Sequence, residues 1–303
     1  MAANYWVSTQ RRHWMFTRER LAEVRESLRE RDKDGHQVQL PDMRIINIYF
    51  KDQICRLAKR MNSRQQAVAT AQVYMKRFYT KVDFRHTNPY LVMVTAFYLA
   101  CKMEECPQHI RFITGEARQF WPEFIANDPA KIGECEFYLI SEMSSQLIVH
   151  HPYRTVSELS AELELSTEEV NQASNLISDH YQTDLPLLYP PHIIAVMAVL
   201  LAVLFGGGQR GTHGSMPHSM AASLREGGMG ATMSALGADR HGARPDPRIQ
   251  KIINWLAESD VDIRAIVECT QEMVSLYELM EGFNIQHVKE VITRMMKTKN
   301  IDK

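Results

Sequence analysis

FYTKVDFRHTNPYLVMV (78–94) and HYQTDLPLLYPPHIIAV (180–196) superpose at an offset of 102 residues. Tyr79 matches Tyr181, and Pro89 matches Pro191. Each proline opens an apolar run: Leu91 to Cys101, broken only by Thr95, and His192 to Phe205. A helix that is apolar nearly all round is an enclosed helix, so each run is expected at the centre of its own bundle. A period of about a hundred residues exceeds the roughly 20–50 of solenoid repeats. It predicts two similar helical domains in tandem.

The rest of the chain fits that frame. Asn88-Pro89, Asp128-Pro129 and Asp246-Pro247 each place a capping side chain before a proline. The side chain satisfies orphan amides, and proline needs no donor at the first helical position. Ser166 and Glu169 form a capping-box pattern. These marks predict helices over 42–61, 64–81, 88–105, 108–126 and 130–148, then over 154–164, 167–183, 190–205, 248–257 and 262–281. Further helices are expected near 11–31 and 285–297. Strand signals are scarce, so the fold class is all-α. The expected divisions are an N-terminal segment and helix (1–38), a first bundle (39–150), a second bundle (151–283) and a C-terminal helix or tail (284–303).

Composition narrows the function. Lys and Arg number 35 and Asp and Glu 36, and this balance argues against a nucleic-acid binder. Cys55, Cys101, Cys106, Cys135 and Cys269 are scattered without a CxxC pair. They are expected to be reduced core thiols, which suits an intracellular protein. The N-terminus lacks the apolar core of a signal peptide. The run from His192 to Phe205 falls short of the roughly 20 residues that span a bilayer. No membrane association is expected.

The stretch from Gly206 to Pro247 holds ten of the chain's fourteen glycines. It is expected to be a mobile insertion (206–247) between the third and fourth helices of the second bundle. Its GGGQRG (206–211) matches G-x-G-x-x-G, but a helix precedes it where the dinucleotide fingerprint needs a strand. His150 and His151 have no His, Asp or Cys at ligand spacing, and they read as linker residues packed between the bundles. No nucleophile elbow, HExxH, phosphate loop or kinase motif set is present. No catalytic residue, metal or cofactor is expected.

One charge breaks the pattern. In FYLACKMEE (97–105) the first apolar run ends on Lys102, then Met103, Glu104 and Glu105. A lysine at a helix C-terminus favours the dipole and reaches water along its own stem. Yet the repeat places Leu204 at the equivalent position, so the fold itself does not require a lysine. Glu136 is the natural companion, at the margin of a buried stripe of Ile132, Cys135, Leu139, Ile140 and Met143. A solvated edge glutamate is its other reading, and a shifted register brings Glu134 into its place.

Several segments resemble the cyclin family. YMKRF (74–78) ends the second predicted helix, LACKMEE (99–105) ends the third, and the paired five-helix plan spans about 40 to 281. ANYWVSTQRRHW, ECEFYLI, LIVHHPYR and TDLPLLYPPHIIA are similar to cyclin C, the cyclin of the Mediator kinase module. The resemblance implies two tandem cyclin boxes and a regulatory, non-enzymatic role. It implies binding and activation of a cyclin-dependent kinase, contact with other Mediator kinase-module subunits, and nuclear residence. It assigns kinase binding to Lys102, Met103 and Glu136, which grip the kinase's regulatory helix. It also places Trp6 and Glu104 in a groove for the large Mediator subunit, although Trp6 reads equally as a staple onto its own bundle.

The substrate-docking patch of other cyclins is doubtful. Met43 and Arg44 are present in MRIINIYF, but Asn47 and Phe50 stand in place of its Leu and Trp. Two rivals remain, a cyclin H-like activator of the general transcription factor kinase and a TFIIB-like DNA-binding factor. The neutral charge and the missing zinc ribbon count against the second.

Overall fold

Asn88 shows how the first unit is organised in the computed structural model, which describes residues 4–30, 39–206, 247–298 and 301. The Asn88 Oδ1 accepts hydrogen bonds from the amides of Tyr90 (3.1 Å) and Leu91 (3.2 Å). Its Nδ2 donates to the Phe124 carbonyl at 2.7 Å. One side chain therefore starts a helix and ties it to a loop. Residues 207–246 lie outside the described residues, and with them the glycine-rich insertion, its G-x-G-x-x-G match and the Asp246 cap.

Among the described residues there are fourteen α-helices and no strand. We number them α1 (Thr9–His13), α2 (Arg18–Glu30), α3 (Met43–Arg60), α4 (Gln65–Phe78), α5 (Pro89–Met103), α6 (Ile110–Phe120) and α7 (Pro129–Glu142). Then follow α8 (Tyr153–Leu163), α9 (Thr167–His180), α10 (Leu185–Leu188), α11 (Pro191–Gly206), α12 (Pro247–Glu258), α13 (Ile263–Glu281) and α14 (Ile285–Thr298). Pro89 and Pro191 both open their helices, as the repeat predicts.

The chain divides into two compact units. The first holds Met1–His150, Pro186–Leu188 and Phe283–Lys303; the second holds His151–Leu185 and Tyr189–Gly282. In the first unit α5 is the axis, with Val92, Met93, Val94, Ala96, Phe97, Leu99, Ala100 and Cys101 all buried. Tyr90 stacks on Phe124 at 4.2 Å between ring centroids, and its hydroxyl lies 2.7 Å from that of Tyr49. The chain's last helix returns to this unit. Val288, Ile292, Met295 and Met296 of α14 are buried in the same core as Trp14 and Leu57.

In the second unit α11 packs along α9, with Ala195, Met197 and Ala198 without solvent exposure. Ser166 and Glu169 form the reciprocal capping box that starts α9, at 3.2 and 2.6 Å. The Tyr277 hydroxyl donates to Asp179 at 3.1 Å. Burial and that carboxylate push the Tyr277 phenol up, so it stays a donor.

Three expected helices change shape for local reasons. The span 11–31 is two helices, because the chain turns at Trp14 to bury its ring, over which the Arg77 guanidinium lies at 5.1 Å. The span 108–126 stops at Phe120, because Trp121 precedes Pro122 and is held out of the helical region at φ −133°. The span 130–148 stops at Glu142, with Ser144 and Ser145 in left-handed conformations. The short helix α10 was not signalled.

Candidate functional site: the carboxyl end of α5

The end of α5 is a tight turn. The amides of Glu104 and Cys106 donate to the carbonyls of Ala100 and Cys101, both at 2.9 Å. The Glu105 amide reaches the Lys102 carbonyl at 3.4 Å. This is a Schellman closure, and Glu105 takes the left-handed position at φ 53° where glycine is usual. A side chain with a Cβ costs about 1–2 kcal/mol there. The same closure brings together the residues at its two ends, here the thiols of Cys101 and Cys106. Burial pushes the Cys101 thiol up to about 12, which keeps it protonated and inert.

The turn sends successive side chains in different directions. Lys102 leaves the enclosed core and meets Glu136 of α7, forming an ion pair with the Glu136 Oε1. The lysine side chain is 39% exposed and the glutamate 13%, so the pair straddles the surface. Lys102 also suits the negative end of the α5 dipole. Its Nζ lies 4.6 Å from the centre of the Tyr98 ring. Next in sequence to the two members of the pair are exposed apolar side chains, Met103 at 39% and Phe137 at 76%.

Glu136 is positioned by the buried stripe of α7. Ile132, Leu139 and Met143 are buried, and Cys135 and Ile140 pack against the core. The register leaves Glu134 exposed and paired with Lys131 at 3.2 Å. Glu136, not Glu134, therefore meets Lys102.

Glu104 turns the other way. Its Oε1 accepts a hydrogen bond from the Thr70 hydroxyl of α4 at 2.5 Å. Trp6 lies in a short turn, Tyr5–Val7, capped by Asn4. The residue is 54% exposed, and its ring lies under the Arg11 guanidinium at 5.3 Å and meets the Tyr5 ring edge-on. Trp6 is thus braced by its own segment while most of it faces outward.

Other expected features are placed as follows. Gln10 clasps the His150 backbone, accepting from its amide at 2.7 Å and donating to its carbonyl at 3.3 Å. His151 Nδ1 lies 2.5 Å from the Tyr181 hydroxyl. In the questioned docking patch Phe50 is buried in an aromatic cluster with Tyr49 and Tyr90, so it offers no surface. Cys101 and Cys269 are buried thiols, and Cys55, Cys106 and Cys135 are partly buried. Among the described residues no group of three His, Cys, Asp or Glu side chains could hold a metal. Among them, too, no helix is long and apolar enough to cross a membrane.

Two residues of this site escaped the sequence reading. Phe137 lies off the buried stripe, which marks it as an outward apolar side chain. Tyr98 stands four residues before Lys102, the spacing at which helical side chains meet.

Comparison with known proteins gives consistent matches. The model of the cyclin N-terminal domain matches residues 13–147. The chain is 66% identical over 304 residues to the RNA polymerase II holoenzyme cyclin-like subunit of Aspergillus oryzae, covering all of both chains. It is 48% identical over 345 residues to the protein of that name from Neurospora crassa, again covering all of both. Among solved structures, a chain of the CAK complex of Chaetomium thermophilum is similar, with TM-score 0.62 at 20% identity. That match covers 98% of this chain and 88% of the other. A chain of the yeast TFIIK complex matches with TM-score 0.58 at 18% identity, covering 89% and 100%. At such identities these two matches speak for the fold alone.

Proposed function

The chain belongs to the family of RNA polymerase II holoenzyme cyclin-like subunits, and from that premise we propose that it is the regulatory subunit of a transcriptional cyclin-dependent kinase. It binds and activates the kinase, catalyses nothing itself, and acts in the nucleus within the Mediator kinase module. The observation that carries this reading is the Lys102–Glu136 pair, half-buried where the enclosed helix surfaces and flanked in sequence by exposed Met103 and Phe137.

The chemistry suits a grip on another backbone. Lysine offers three donors and glutamate only acceptors. Together they satisfy free carbonyl and amide groups of a docked helix, and such charge-assisted bonds are strong once water leaves. Met103 and Phe137 supply apolar area around them. A regulatory helix held inward lets the kinase close its own Lys–Glu ion pair at ATP. The cyclin thus biases a two-state element by packing. Trp6 and Glu104 are assigned to contact with the large subunit of the module.

Affinity purification of the full chain from nuclear extract, followed by mass spectrometry, tests this. A cyclin-dependent kinase together with Mediator subunits is expected. Recovery of the general transcription factor complex instead would reassign the chain to a cyclin H-like role. Recovery of no kinase would sink the proposal.

A further inference from the structure

Lys102 has a second partner besides Glu136. Tyr98 stands one turn earlier on α5, and its ring lies 4.6 Å from the lysine ammonium. Tyr98 itself packs against the core of the first unit, so its ring is a held surface and not a free one. The internal repeat adds an independent clue. At the offset of 102, Leu200 stands where Tyr98 does, and Leu204 stands where Lys102 does. The second bundle lacks the lysine and lacks the ring with it. An aromatic residue at this point is therefore not needed to pack the central helix of such a bundle.

We propose that Tyr98 is a positioning residue for the kinase grip, holding the Lys102 ammonium over its ring face in the orientation that meets the partner. The inference rests on the function proposed above and deepens it. In the free chain Lys102 and Glu136 neutralise each other. On docking, both must turn bonding capacity toward the partner's backbone, and the ion pair loosens. The lysine stem is long and flexible, and its ammonium is strongly hydrated. The negative face of the Tyr98 ring attracts the ammonium throughout, and this attraction grows as water is expelled. The ring keeps the stem in place and shares the charge while Glu136 takes up its own contact.

The test is a double-mutant cycle on the full chain, titrated with the purified cyclin-dependent kinase that is recovered with the wild-type protein. Tyr98→Leu should weaken binding by about three- to tenfold, while Tyr98→Phe, which keeps the ring face, stays within about twofold of wild type. In a Lys102→Ala background, Tyr98→Leu should have no further effect. In the chain alone, the Lys102 ε-methylene protons should show an upfield ring-current shift that Tyr98→Leu abolishes and Tyr98→Phe keeps. This readout also separates positioning from misfolding. If Tyr98→Leu binds as wild type while Lys102→Ala is weakened, Tyr98 has no positioning role and the grip stands. If the Tyr98→Leu loss persists in the Lys102→Ala background, the ring touches the partner itself and positioning is overturned. If Lys102→Ala binds as wild type, the grip falls and the Tyr98 role falls with it.

Discussion

Lys102→Ala combined with Glu136→Ala is expected to abolish recovery of the kinase while leaving the chain folded. Removing one member of a buried, hydrogen-bonded charge contact at an interface costs about 2–5 kcal/mol. Losing both contacts therefore exceeds a hundredfold in affinity at about 1.4 kcal/mol per decade. The fold is spared for a separate reason. Lys102 is 39% exposed and Glu136 13%, so the pair is only half-buried, and replacing both partners together leaves no unpaired charge inside the fold. Binding and stability are thus expected to part company in this variant. A melting temperature within about 3 °C of wild type, with no kinase on the beads, is the predicted result. Kinase recovery at the wild-type level would show that the pair is an ordinary surface ion pair.

Phe97→Ala is expected to do the opposite, striking stability first. Phe97 lies in the middle of α5 with no solvent exposure. Truncating a buried phenylalanine costs about 3–5 kcal/mol, from lost transfer energy and the cavity left behind. For a unit of this size each kcal/mol lowers the melting temperature by roughly 2–4 °C, so a fall of about 6–20 °C is expected. The cavity lies five residues before Lys102, so kinase binding should weaken only as far as the end of α5 loosens. Calorimetry checks this. A shift under about 3 °C would mean that α5 is not the axis of the first unit.

The enclosed helices were legible because their signals are local. A proline at the first position and a long apolar run are written in adjacent residues, and α5 adds the capping Asn88. The breaks were less so. That α2 starts afresh after Trp14 depends on where the Trp14 ring is buried, beneath Arg77 from a helix about sixty residues later. The return of α14 to the first unit also depends on distant packing, since its amphipathic stripe states only that some core covers it. The stop at Phe120 could have been read from Pro122.

At the site, the comparison of Lys102 with Leu204 marks the lysine from sequence alone. Which glutamate faces it was a matter of helix register, fixed only when Ile132, Leu139 and Met143 are seen buried. The left-handed Glu105 was not legible, because nothing in its residue type announces a positive φ. Tyr98 was hidden by its surroundings: within an apolar run an aromatic residue reads as core, and only the ring-to-ammonium distance reveals its second face.

The most direct measurement is phosphate transfer by the purified kinase to a substrate peptide, alone, with the wild-type chain, and with the Lys102→Ala/Glu136→Ala variant at equal concentration. A regulatory subunit that works through this pair predicts strong stimulation by the wild-type chain and none by the folded variant. Equal stimulation by the two, or none by the wild type, would contradict it.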